Sequence, residues 1–239
     1  MAPRLLAGSS GYAYKPWKGP FYPADLPDSG MLSFYASRLP TVEINNTFYR
    51  LPKRALLEGW AEKTPDGFRF VLKASRRITH MARLKDCGET VGYLFETASA
   101  LGEKLGPVFF QLPPYLKKDL ALLEDFLAIL PEGRKAALEV RSSSWFDDDV
   151  YEALRRRDVA LCIAEHDEKE KDTPFSATAS FGYLRLRREH YGDAELDAWA
   201  ARIKEQPWSE AYVFFKHEDE AAAPKTALRL LQIMGQSSA

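Results

Sequence analysis

Residues 136–164 decide the fold, and they read AALEVRSSSWFDDDVYEALRRRDVALCIA. The apolar runs at 136–141 and 159–164 have the length and composition of buried strands, and the segment 147–157 between them has a helical pattern. A strand, a helix and a second strand in this order imply two parallel strands with the helix packed outside them. This unit indicates an α/β protein.

The same alternation extends along the whole chain. Strands are predicted at 4–8, 41–44, 68–73, 107–112, 136–141, 159–164, 182–186 and 211–216, and helices at 31–38, 53–62, 90–104, 120–130, 147–157, 195–204 and 223–234. Only the connection 165–180 lacks a convincing helical pattern. Eight such units close naturally into a single-domain (β/α)8 TIM-type barrel over residues 1–239, with a doubly wound open sheet as the alternative, because periodicity alone does not show closure.

Composition excludes several classes of protein. Lys and Arg total 33 against 34 Asp and Glu, so no global charge suggests coating of nucleic acid or of an anionic membrane. Cys87 and Cys162 form neither a CxxC motif nor a disulfide framework, which fits a reducing compartment. No apolar run approaches the roughly 20 residues that span a bilayer. We therefore expect a soluble, cytoplasmic protein, and the sequence does not indicate its oligomeric state.

Strand alternation assigns a direction to the polar residues within these strands. Successive side chains of a strand face opposite sides, so the apolar positions that face the helices leave the others pointing into the barrel. The inward set comprises Glu43, Asn45, Lys73, Glu139, Arg141, Arg185, Arg187 and Lys216. All lie in the C-terminal halves of their strands, which is the end of a barrel where ligand sites occur.

Charge within this inward set predicts an anionic ligand. Five positive side chains face two negative ones, and a desolvated positive surplus is costly unless an anion balances it. The alternative is that the charges only pair with one another, with Arg141 and Lys73 holding Glu43 and Glu139. On the functional interpretation, Glu43 and Glu139 are catalytic acid/base groups. Lys73 then binds the anion or, if it is desolvated, forms a Schiff base.

Further side chains are predicted to contact the ligand. Aromatic residues that follow strand ends provide rigid walls with a polar group, and an amide at a strand end provides hydrogen bonds. The predicted substrate-binding residues are Tyr12, Trp17, Asn45, Tyr49, Gln111, Arg141, Trp145, Arg185, Arg187 and Lys216. For about half of the aromatic residues, such as Trp17, simple covering of the barrel is the competing interpretation.

Several stretches resemble the domain-of-unknown-function-72 family, which has a (β/α)8-type barrel and no settled activity. The resemblance rests on GSSGYAYKPWKGPFYP at 8–23, VEINNTFY at 42–49, Trp60 with Thr64 and Pro65, FVLK at 70–73 with ITH at 78–80, QLPP at 111–114, and EVR at 139–141 with Ser144 and Trp145. The chain departs from the family pattern later. RLRR at 185–188 stands where the family usually has Arg-Leu-His-Gly, and FKH at 215–217 where it usually has Phe-Asn-Asn.

Metal and cofactor motifs are weak. The four histidines have no HxH or HExxH spacing, and only His166 with Asp167 follows a strand where a metal could bind. No Rossmann, P-loop or GxSxG motif is present, so no cofactor is expected. The sequence leaves two classes open: a metal-independent enzyme acting on a phosphorylated or carboxylated small molecule, and a non-catalytic barrel that binds the phosphate-bearing end of a nucleic-acid strand.

Overall fold

A computed structural model describes residues 2–165, 173–216 and 219–236 and contains a closed barrel of eight parallel strands. The strands are β1 (Arg4–Ser10), β2 (Thr41–Ile44), β3 (Arg69–Lys73), β4 (Leu105–Gln111), β5 (Ala136–Glu139), β6 (Val159–Glu165), β7 (Phe181–Leu186) and β8 (Glu210–Phe215). Each strand pairs with the next in the chain, and β8 pairs with β1. The predicted barrel is therefore confirmed, and the open sheet is excluded.

Seven helices surround the barrel in the described part of the chain. They are α1 (Met31–Ala36), α2 (Arg54–Glu62), α3 (Gly88–Ala98), α4 (Leu120–Ala128), α5 (Asp148–Arg156), α6 (Asp193–Lys204) and α7 (Ala222–Ile233). The segment predicted as one helix at 90–104 is divided: α3 ends at Ala98, and a 3-10 turn continues to Lys104. Gly102 has a left-handed φ of 55°, which an α-helix does not accommodate.

Strand alternation places the side chains as the sequence predicts. Val42 and Leu184 belong to the apolar layer between the strands and the helices. Phe109, Tyr183 and Phe214 belong to a second layer inside the barrel, where the rings of Phe109 and Tyr183 stack with centroids 5.0 Å apart. The inside of the barrel is therefore packed with aliphatic and aromatic side chains.

Within the described residues, none of the helices combines the length and the apolar character that a transmembrane span requires.

Closure of the barrel depends on a close approach at Gly8, which pairs with Thr41 of the neighbouring strand. A Cβ atom at Gly8 would lie 2.1 Å from the carbonyl oxygen of Thr41, and a strand backbone cannot yield that distance cheaply. Gly8→Ala should therefore lower the free energy of unfolding by more than about 3 kcal/mol in a urea titration.

Gly92→Ala is the matched control, because Gly92 is exposed on α3 and a Cβ there would meet nothing within 4 Å. Alanine has a higher helix propensity than glycine, so this variant should be as stable as the wild type or more stable by up to about 1 kcal/mol. Equal stability of the two variants would contradict the strand pairing described here.

Candidate functional site

The centre of the C-terminal end of the barrel is the guanidinium group of Arg185, which joins two buried carboxylates. Its Nη1 lies 2.8 Å from Oε2 of Glu139, and its Nη2 lies 2.9 Å from Oε1 of Glu43. Arg185 also lies over the ring of Phe109, 4.7 Å from the ring centroid. One side chain of β7 thus connects β2 with β5 across the inside of the barrel.

Each carboxylate is held by further donors. Ser10, Asn45 and Tyr183 donate hydrogen bonds to Glu43 at 2.9, 3.0 and 2.6 Å. Gln111 donates to Oε1 of Glu139 at 2.8 Å, and Arg187 pairs with its Oε2. Hydrogen bonds to the ionised form hold both carboxylates in a single orientation.

These contacts decide the ionisation of the two glutamates. Burial raises the pKa of the Glu139 carboxyl, but Arg185 and Arg187 outweigh burial and the net pKa lies below its usual value. Burial likewise raises the pKa of Glu43, and Arg185 with the Tyr183 hydroxyl brings the net value below the ordinary one. Both groups are therefore carboxylates at neutral pH.

Lys73, at the end of β3, has a different environment. Its Nζ donates a hydrogen bond of 2.8 Å to Oε1 of Gln111 and lies 4.5 Å from the ring centroid of Phe48. Among the described residues, it forms no ion pair within 4 Å. Burial, followed by the positive charge of Arg185, lowers the pKa of Lys73 to about 8.

The remaining predicted cations lie towards the rim. Arg141 follows the end of β5, its side chain is 38% exposed, and its Nε is 3.8 Å from Oε1 of Glu139. Lys216 follows β8 and is exposed. His80 packs edge-on against Phe48, with ring centroids 5.0 Å apart, and burial lowers its pKa, as do the charges of Lys73 and Arg141.

The predicted pairing of these charges needs correction. Arg185 and Arg187 make the short contacts to Glu43 and Glu139. The sequence-based alternative assigned that role to Arg141 and Lys73, but Arg141 adds only a longer contact of 3.8 Å to Glu139, and Lys73 forms no ion pair among the described residues. The charges of these two arginines and two carboxylates cancel at the centre of the mouth, which is the C-terminal end of the barrel. The surplus of three positive charges therefore falls on Lys73, Arg141 and Lys216, and of these Lys73 is the least exposed.

A cavity of about 550 Å³ opens beside this mouth. It lies between the loop that follows β1 and the segment from the end of β2 to α2, and Tyr12, Tyr14, Asn45 and Trp60 line it. Asn45 also donates to Glu43, so the cavity adjoins the polar network. The structure thus places Tyr12 and Asn45, two predicted ligand contacts, on one surface.

Two predicted aromatic contacts do not line any open surface. Trp17 and Trp145 are fully buried in the apolar core. Trp17 packs against Tyr14 with ring centroids 4.7 Å apart, and the indole of Trp145 donates to the carbonyl oxygen of Leu116 at 2.8 Å. The prediction that these residues form pocket walls is therefore wrong, because the loops fold them back onto the barrel. Tyr49 has the opposite placement and is 72% exposed.

Sequence reasoning missed several members of the network. Tyr183 lies two residues before Arg185 on β7, so alternation alone would have placed it inside the barrel. Ser10 ends β1 and carried no such signal, because its role depends on pairing with Glu43. Glu165, at the end of β6, is also buried and pairs with Arg188, and it accepts a hydrogen bond from Tyr191.

The sequence indicates a possible metal site at His166 and Asp167, and both residues lie outside the described part of the chain. Within the residues that the structure does describe, no three His, Cys, Asp or Glu side chains are grouped as metal ligands would be.

The closed barrel and the charged mouth at the C-terminal ends of its strands define a TIM-barrel protein with a candidate ligand site. Residues 6–239 match the family described as "Protein of unknown function DUF72", and the chain belongs to that family.

Two relatives of the chain have names that state no activity. The chain is 35% identical over 116 residues to the UPF0759 protein YecE of Escherichia coli K12, and this match covers 48% of the chain and 43% of YecE. It is 29% identical to the UPF0759 protein YunF of Bacillus subtilis over 89% of each protein. A DUF72 family protein of Thermotoga maritima has the same fold, with a TM-score of 0.86 at 24% identity over 98% of this chain and 100% of that one.

Stability should depend strongly on Glu139. Glu139→Gln keeps the shape but leaves Arg185 and Arg187 short of a buried counter-charge, so the free energy of unfolding at pH 7 should fall by about 3–5 kcal/mol. Because the folded-state pKa of Glu139 lies below its unfolded value, its stabilisation is complete above that unfolded value, about 4.3, and is lost as the pH falls through the folded one. Urea titrations between pH 7 and 3 should show a constant difference between the wild type and the variant down to about pH 4.3, and a difference that narrows only in part below it, because the folded-state pKa is lower still.

Glu58→Gln serves as the control, since Glu58 forms an exposed pair with Arg54 on α2. Its effect should stay below about 1 kcal/mol. A similarly small effect of Glu139→Gln would refute the structural role of this carboxylate.

Proposed function

We propose that this protein is an enzyme that acts on a small phosphorylated or carboxylated molecule, bound at the mouth of the barrel by Lys73. The observation that carries the proposal is the environment of the Lys73 amine. It is half-buried against an aromatic ring and bonded to a neutral amide, and within the described residues no carboxylate pairs with it. A buried cation of this kind is stabilised when an anion binds.

Neighbouring groups support an anionic ligand. The Nζ of Lys73 and the ring of His80 lie 4.5 and 5.0 Å from the ring centroid of Phe48. The Nε of Arg141 lies 3.8 Å from Glu139, whose partner Gln111 accepts the hydrogen bond from Lys73. Like charges held close together repel, and a phosphate or carboxylate between them would relieve that repulsion. Arg141 is partly exposed and is able to reach a ligand at the rim.

Proton transfer is the chemistry that fits these groups. A general acid or base works best when its pKa lies near the working pH, and Lys73, with a pKa of about 8, meets this condition. Glu43 and Glu139 do not, because their pKa values lie below the usual range. We therefore assign proton transfer to Lys73, and assign to the glutamates the positioning of Arg185 and Gln111. Isomerisation and elimination are the reaction types that need such a group.

A second candidate function is binding of the phosphate-bearing end of a nucleic-acid strand. Tyr49 and Tyr115, in loops after β2 and β4, are 72% and 62% exposed, and exposed rings can stack on bases. Salt dependence separates the two functions. Binding through several backbone phosphates weakens steeply with added salt, whereas binding of one small anion in a pocket responds less.

Sulfate binding tests the proposed site. Sodium sulfate at about 10 mM should raise the Tm by about 3–6 °C relative to sodium chloride of equal ionic strength, if the Kd is near 1 mM. The rise should shrink above about pH 8, because Lys73 then loses its proton while sulfate keeps its charge. Differential scanning fluorimetry between pH 6.5 and 9.5 measures both effects.

Two variants locate the response. Lys73→Met should abolish it, and Lys204→Met, which removes the same charge from the exposed last turn of α6, should keep it. Equal responses to sulfate and chloride in the wild type, or a full sulfate response in Lys73→Met, would overturn the proposal.

A further inference from the structure

The cavity between the loop after β1 and helix α2 has a composition unlike that of the mouth. Its inner surface is apolar and aromatic, with Tyr12, Tyr14, Leu56 and Trp60 among its lining residues. Leu56 is an apolar side chain that is 50% exposed on α2. A concave, largely apolar surface of this volume, about 550 Å³, is typical of a small-molecule site.

Hydrogen bonds that are buried or partly buried hold both walls of this cavity in place. The hydroxyl of Tyr14 donates to the carbonyl oxygen of Ser10 at 2.7 Å, and that of Tyr22 to the carbonyl oxygen of Tyr12 at 2.6 Å. On the other side, the hydroxyl of Thr47 lies 2.6 Å from the carbonyl oxygen of Lys73 and 2.9 Å from that of Ile44. The cavity is therefore preformed, which reduces the entropic cost of binding.

Aromatic surface is available for stacking. The ring of Phe70 stacks on Trp60 with centroids 5.8 Å apart and an interplanar angle of 19°, so it covers one face of the indole. Trp60 nevertheless contributes to the cavity lining. Tyr12 on the facing loop makes no side-chain hydrogen bond within the described residues, and its hydroxyl is free to donate to a ligand.

The charged side chains that line the cavity are all positive. Arg50 and Lys53 belong to its lining, and no carboxylate does. Neither side chain forms an ion pair or a side-chain hydrogen bond within the described residues, whereas the nearby Arg54 is bound by Glu58. The cavity thus combines an aromatic interior with two available cations.

From this combination we infer a second ligand site, in which the cavity binds a planar aromatic molecule that carries an anionic group. The ring lies between Tyr12 and Trp60, and the anion contacts Arg50 and Lys53. This site is separate from the Lys73 anion site and does not depend on the proposed reaction. Asn45, which lines the cavity and donates to Glu43, is its link to the mouth.

Isothermal titration calorimetry with 2-naphthylacetate tests the inference. The full chain should bind 2-naphthylacetate, and acetate and 2-(2-naphthyl)ethanol should each bind at least about tenfold more weakly, because each lacks either the ring or the charge. Leu56→Glu and Arg50→Ala should each weaken the binding of 2-naphthylacetate by about tenfold or more. Both residues are exposed, so circular dichroism should show native folding of the variants.

Control variants separate this site from the mouth. Arg54→Ala removes the same charge outside the cavity lining and should bind 2-naphthylacetate as the wild type does. Lys73→Met should also retain binding, whatever its effect on sulfate. Absence of binding to the wild type, equal binding to the wild type and Leu56→Glu, or loss of binding in Lys73→Met would each overturn the inference.

Discussion

Arg185 lies between Glu43 and Glu139, and this buried contact organises the C-terminal end of the barrel. Ionised groups that leave water lose several kcal/mol of hydration each, and only short, well-oriented contacts recover that energy. The three side chains come from strands that are not neighbours in the barrel, so the contact forms only when the sheet is closed. The arrangement couples the polar network to barrel closure, and breaking one partner would leave a buried charge uncompensated.

The same contact sets the character of Lys73. Because the arginines already occupy both carboxylates, Lys73 is left with the amide of Gln111 and the ring of Phe48. Burial and the positive charge of Arg185 favour the neutral amine and outweigh the attraction of Glu43 and Glu139, so the pKa of Lys73 is lowered to about 8. At pH 7 the Lys73 amine is protonated although its surroundings favour the neutral form, and this lowers the free energy of unfolding. The protein should therefore be less stable than it would be with an apolar side chain at this position. Residues kept at such a cost are characteristic of functional sites.

Much of this site could be predicted from sequence because alternation along a strand is a rigid geometric rule. This rule alone places Glu43, Lys73, Glu139 and Arg185 inside one end of the barrel. It did not identify which charges pair, since pairing depends on the register and stagger of non-adjacent strands. It also did not apply beyond strand ends. Trp17 and Trp145 lie in 3-10 turns, where the direction of a side chain depends on contacts with distant parts of the chain. The cavity beside Asn45 is formed by two segments that are distant in sequence.

The proposed anion site depends on a half-buried, charged amine at Lys73. A direct measurement is an NMR pH titration of protein containing 13Cε-labelled lysine, with the Lys73 signal assigned by its absence from Lys73→Met. We expect a pKa near 8 for Lys73, and we expect it to rise when sodium sulfate replaces sodium chloride at constant ionic strength. A pKa at the ordinary lysine value of about 10.4, unchanged by sulfate, would contradict the proposal.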